Sequence, residues 1–85
     1  MTREELQSKV FELTAEQAGV DIAQITPATH FVNDLNFDSL DSVEFSMSVE
    51  DEFEVSISDD DAQKLQTVGD AIDYLAMHVG VGSSS

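Results

Sequence analysis

Apolar residues in the first eighteen positions recur on a helical period. Leu6, Val10 and Leu13 lie three or four apart, Gln17 takes the next slot, and Phe11 and Ala18 flank the stripe. That spacing lines one face of a helix. Ahead of it, Thr2-Arg3-Glu4-Glu5 pairs a hydroxyl N-cap with a glutamate three positions on, the capping-box pattern. Gly19 supplies a residue tolerant of left-handed backbone, so the pattern predicts a helix over residues 3–18. Residues 19–37 lose the period and hold the one proline, Pro27. A connection this long in a small domain is functional or locally structured. Its apolar residues Val20, Ile22, Ile25, Phe31, Val32 and Leu35 predict that it packs on the core.

The period resumes at Leu40, Val43, Met47 and Phe53, with Phe45 and Val49 widening the face. Asp38 is the expected N-cap, and Asp41 at N3 sets a second carboxylate against the positive helix end. Val55 and Ile57 alternate briefly; with no partner strand in the sequence they read as a loop burying both. Ser58-Asp59-Asp60-Asp61 opens a short helical turn through about Leu65, and Thr67 caps a last helix whose inner stripe is Val68, Ala71, Ile72 and Leu75. Gly80 to Ser85 reads as a flexible tail (80–85), leaving a domain over 1–79. The expected fold is all-α: a four-helix bundle of three main helices and one short helix, with a long loop between helices one and two.

Composition narrows the function. Eighty-five residues make one small domain near the lower range for a single core, and the absence of Cys removes disulfides and thiolate metal sites. A hydrophobic content of 41% argues against disorder. The formal net charge of −15 is set against only Arg3, Lys9 and Lys64. Such a chain is repelled by nucleic acid and anionic membranes and drawn to basic protein surfaces. Its self-repulsion also predicts marginal stability that improves in salt. The first twenty residues carry four glutamates and no long apolar run, which speaks against a leader or membrane insertion and makes a cytoplasmic location the expectation.

Ser39 stands first in the expected second helix, between Asp38 and Leu40-Asp41. The plain reading is a good helix-start residue, although a phosphate there would meet unpaired N–H groups and the positive helix end. A nucleophilic enzyme would need a base, and the two histidines are His30 in the long loop and His78 near the C-terminal end. No Gly-x-Ser-x-Gly turn surrounds the serine, and its carboxylate neighbours oppose a developing oxyanion, so no catalytic residue is assigned. Asp34, Asn36 and Asp38 match the first, third and fifth positions of a calcium-binding hand. Ser39 and Phe45 fail its sixth and twelfth, so no specific metal site is expected.

The run Leu35-Asn36-Phe37-Asp38-Ser39-Leu40-Asp41-Ser42-Val43-Glu44 resembles the attachment segment of acyl carrier proteins, whose signature is Asp-Ser-Leu-Asp/Glu-x-Val-Glu. Glu16-Gln17-Ala18-Gly19-Val20, Phe31-Val32-Asn33-Asp34-Leu35, Glu50-Asp51-Glu52-Phe53 and Val68-Gly69-Asp70-Ala71-Ile72-Asp73-Tyr74-Leu75 are similar to further blocks of that family, in order. The resemblance implies a stand-alone carrier domain over 1–79, monomeric and not an enzyme. A separate phosphopantetheinyl transferase would attach 4'-phosphopantetheine from coenzyme A to Ser39, bringing a thiol into a chain without Cys. Acyl intermediates held as thioesters would then be shown to enzymes of fatty-acid biosynthesis. Asp38, Asp41, Glu44, Glu50 and Asp51, with Leu40, Val43 and Met47 among them, would meet basic patches on those partners.

Positions matching the family's acyl cavity are Phe31, Phe45, Val49, Ile57, Ala62, Leu65, Ala71 and Tyr74. Burying about six methylenes there would be worth roughly 5 kcal/mol before costs. Three departures stand out: Asn36-Phe37 replaces the usual Gly-Ala, Phe45-Ser46 replaces a pair of aliphatics, and Ser48 replaces an alanine. Phe37 sets an aromatic beside Ser39, and Phe45 reshapes the cavity, which favours a specialised polyketide-like pathway as a variant. The alternative is an unmodified acidic helical module for protein interaction.

Overall fold

Helix α1, Arg3–Ala18, starts and stops on its own side chains and backbone. Thr2 Oγ1 accepts from Glu5 N–H at 3.1 Å while Glu5 Oε1 accepts from Thr2 N–H at 2.8 Å, so two orphan donors are satisfied reciprocally. Gly19 closes the helix at φ 71°, and its N–H donates to Ala15 C=O. The computed structural model describes residues 2–78, and the expected tail at 80–85 lies outside them. After a 3₁₀ turn at Ile22–Gln24 come α2 (Ser39–Phe53), the short α3 (Asp59–Lys64) and α4 (Val68–His78). Among the described residues the architecture is all-helical, with three main helices and one short one, as the pattern predicts.

The core gathers where these faces meet. Leu6 and Val10 of α1, Val49 of α2, and Val68, Ile72 and Leu75 of α4 are almost wholly buried, with α1 packed against both α2 and α4. Thr14 is also buried in the middle of α1, and its hydroxyl donates to Val10 C=O at 2.7 Å, so the polar atom is satisfied within its own helix. Two ion pairs tie α1 outward: Arg3 to Asp73 of α4, and Lys9 to Glu52 of α2 at 3.4 Å. Both pairs are exposed and contribute little to stability.

The long loop packs only in part. Ile25, Phe31 and Phe37 are buried and Val20 and Leu35 are half-buried, but Ile22 and Val32 face solvent, contrary to expectation. The loop is anchored by a seam of backbone bonds to the start of α4 instead. Gly69 N–H donates to Pro27 C=O at 2.8 Å, Val68 N–H to Thr29 C=O at 2.9 Å, and Phe31 N–H to Gln66 C=O at 3.0 Å. The first N–H groups of any helix lack partners within it, and here loop carbonyls supply them. Thr67 and Asp70 complete the cap: Asp70 N–H donates to Thr67 Oγ1 and Thr67 N–H to Asp70 Oδ2.

Gly69 is required by this seam, because a Cβ there would sit 2.9 Å from the Pro27 carbonyl oxygen. Gly69→Ala gains helix propensity yet must push the loop away. A net loss of about 1 kcal/mol is expected from urea unfolding, since overpacking against backbone outweighs the propensity gain.

Between α2 and α3, Glu54 holds left-handed backbone at φ 55° and closes α2. Val55 and Ile57 follow as a half-buried loop, in agreement with the pattern. Glu50 reaches past the helix end, and its Oε2 accepts from Ile57 N–H at 2.7 Å. Ser58 caps α3 through Asp61 N–H.

Candidate functional site

The approach to α2 is set by one residue. Asn36 lies in the left-handed region at φ 58°, where Asn is tolerated better than most residues, so the turn survives without glycine. Just beyond it, Phe37 N–H donates to Phe31 C=O and the Phe37 ring turns inward. The expectation of an aromatic lying beside Ser39 is thus refined, because Phe37 is adjacent in sequence but buried. Its ring centroid lies 5.3 Å from Phe31 and 5.9 Å from Phe45, and Phe31 and Phe45 are 5.1 Å apart. The three rings form one cluster beneath the start of α2, with the tilted and edge-on geometries aromatic pairs prefer.

Above that cluster Asp38 and Asp41 cap the helix reciprocally. Asp41 N–H donates to Asp38 Oδ1 at 2.8 Å and Asp38 N–H to Asp41 Oδ2 at 3.3 Å. Ser39 is the first residue of the 15-residue helix and is exposed. An anion joined to its hydroxyl would stand at the positive end of α2. The two flanking carboxylates, each accepting from a backbone N–H of the cap, partly oppose it.

Along α2 the apolar residues Leu40, Val43 and Met47 are 63%, 55% and 61% exposed. They follow helical spacing on an outer face, whereas Phe45, Val49 and Phe53 form the buried one. Asp38, Glu44 and Asp51 are exposed among them, and Asp41 is half-buried. A surface depression lined by Met47, Ser48, Glu50 and Asp51 continues the face toward the end of α2. Glu50 is half-buried like Asp41, but its carboxylate turns away from the start of α2 and accepts from Ile57 N–H in the loop before α3.

The residues matched to an acyl cavity come from the long loop, α2, α3, α4 and the segments flanking α3. Phe31, Phe45, Val49 and Ala71 are buried, and Ile57, Leu65 and Tyr74 are half-buried against the same core. Ala62 is half-buried on α3. Tyr74 reaches from α4 to α3, its hydroxyl donating to Asp61 Oδ2 at 2.9 Å, and His78 stacks on its ring at 4.1 Å. Burial, then the bond to Asp61, then the charges of Asp61 and Glu50 raise the Tyr74 phenol above its ordinary value of 10.0.

A group whose folded pKa is raised stabilises the fold fully below the unfolded value, and that stability is lost as pH rises through the folded one. Titrated from neutral pH to above 10, the native chain should therefore lose more stability than Tyr74→Phe, the difference growing only once Tyr74 ionises in the unfolded chain. Urea midpoints at stepped pH measure it, and parallel curves would refute the assignment.

One residue at this site escaped the sequence reading. Gln17, in the last turn of α1, donates from Nε2 to both Asp41 Oδ1 and Glu44 Oε1, at 3.2 and 2.9 Å. The available signal was a polar residue in an otherwise apolar stripe.

Comparison with known proteins bears on the same segment. A family model described as a phosphopantetheine attachment site matches residues 8–75. An acyl carrier protein of Lactobacillus acidophilus is 48% identical over 80 residues, covering 94% of this chain and 100% of that protein. The solved structure of an acyl carrier protein from Enterococcus faecalis is similar at a TM-score of 0.78 and 42% identity, covering 91% of this chain and 98% of that one.

Proposed function

Because the chain belongs to the acyl carrier protein family, carriers that bear 4'-phosphopantetheine and are not enzymes, we propose that Ser39 is its attachment point. The observation that carries this reading is the exposed Ser39 at the first position of α2, beside carboxylates held by the helix cap. A phosphodiester at that hydroxyl gains the positive helix end without displacing any cap. The bound arm supplies the thiol on which acyl groups ride as thioesters, in a chain that has no Cys.

The remaining residues then divide the work. Leu40, Val43 and Met47 offer apolar contacts to a phosphopantetheinyl transferase and to acyl-processing enzymes, and Asp38, Asp41, Glu44 and Asp51 draw basic patches toward them. Glu50 works mainly inward, fixing the loop before α3. Acyl chains lie against Phe31, Phe45, Val49, Ile57, Ala62, Leu65, Ala71 and Tyr74, where the three clustered rings favour a cargo shaped differently from a plain long chain. We read the chain as a monomeric cytoplasmic carrier for fatty-acid synthesis, with a specialised polyketide-like pathway as the variant that the ring cluster favours.

The test is incubation with coenzyme A and a promiscuous phosphopantetheinyl transferase, followed by intact-mass measurement. A gain of one phosphopantetheinyl group is expected. No gain would leave an unmodified acidic interaction module as the better reading.

A further inference from the structure

We infer that Gln17 is a positioning residue for docking, an amide clamp that sets Asp41 and Glu44 in place before a partner arrives. The inference rests on the reading of α2 as the docking face around Ser39. Asp41 and Glu44 lie three positions apart on one helix face, where like charges repel and would drive the side chains apart. The amide nitrogen of Gln17 carries two protons, enough to give one to each carboxylate. Asp41 is then held at both oxygens, by Gln17 at Oδ1 and by its own N-cap N–H at Oδ2.

Hydrogen bonds to ionised acceptors are stronger than neutral ones, and ordering these side chains in advance removes that cost from association. Each carboxylate oxygen keeps a further lone pair for a guanidinium or ammonium of the partner. Gln suits the position because it is neutral. A lysine would clamp the same two acids but cancel the charge that steers basic partners.

The experiment compares modification of the native chain and Gln17→Leu by the same transferase and coenzyme A. The clamp predicts an unchanged kcat and a KM for the carrier raised roughly three- to tenfold, because the loss is one of preorganisation. The same substitution is then made in an Asp41→Asn, Glu44→Gln background, where it should add nothing further to KM. A second increment of equal size there would mean that Gln17 touches the partner directly and would overturn the clamp. An unchanged KM in the first comparison would overturn it also, while leaving Ser39 as the attachment point. Absence of any mass gain on the native chain sinks the docking face and the clamp together.

Should Gln17→Leu fold poorly, side-chain amide NMR on chains that keep Gln17 decides. The Gln17 amide proton resonances should move when Asp41→Asn, Glu44→Gln removes the two charged acceptors. Resonances that ignore that substitution would exclude the clamp.

Discussion

Ser39→Ala should gain no phosphopantetheinyl group under conditions that convert the native chain completely, and it should unfold at the same urea concentration. Both halves of that result follow from where the residue sits. Ser39 is exposed at the first helical position, and the cap is made by Asp38 and Asp41. Alanine is the best helix former, and a surface change away from a cap shifts stability by within about 0.5 kcal/mol. Loss of modification with an unchanged midpoint therefore isolates the hydroxyl as the reacting atom. Intact mass and circular dichroism on one sample suffice. If Ser39→Ala still gains the group, the acceptor lies elsewhere and the reading of this helix start is wrong.

Phe45→Ala carries the largest expected stability cost, about 3–5 kcal/mol. That is a large share of what a domain this small holds in total. Phe45 is 6% exposed and touches both other rings of the cluster, so truncation removes its own burial and leaves Phe31 and Phe37 facing a void. Phe45→Leu, which keeps most of the volume, should cost under about 1.5 kcal/mol. Urea unfolding with matched slopes separates the two.

The same ring is a proposed wall of the acyl cavity, which gives the experiment a functional arm. A long acyl chain loaded on the arm should restore more stability to Phe45→Ala than it adds to the native chain, since it would fill the space the ring vacated. Equal gains would place the acyl chain away from Phe45.

How much of this was legible beforehand depended on the range of the interaction. The starts of α1, α2 and α3 could be read because a capping side chain bonds a backbone N–H only three residues away. Periodicity alone put Leu40, Val43 and Met47 on one face with Phe45, Val49 and Phe53, whereas the structure leaves the first three exposed on an outer face and buries the other three. Ile22 and Val32 were misplaced because apolar character alone does not say which loop residues meet the core. The seam to α4 joins residues far apart in sequence through backbone atoms, which no side-chain pattern records.

Glu50 shows the converse. It lies in an acidic run that reads as solvated surface, but the left-handed turn at Glu54 brings Ile57 N–H back to its carboxylate. Phe37 likewise needed the geometry of Asn36 before its direction was known.

The seam between the loop and α4 has a kinetic consequence. Its bonds close a ring of chain that contains all of α2 and α3, so they cannot form until a long loop has been brought together. α1, by contrast, carries its start and stop signals locally and can take shape early. Folding should thus finish with the stitching of Pro27, Thr29 and Phe31 to the head of α4. Once stitched, the ring's entry and exit are held side by side, so α2 and α3 stay tethered at both ends to one seam.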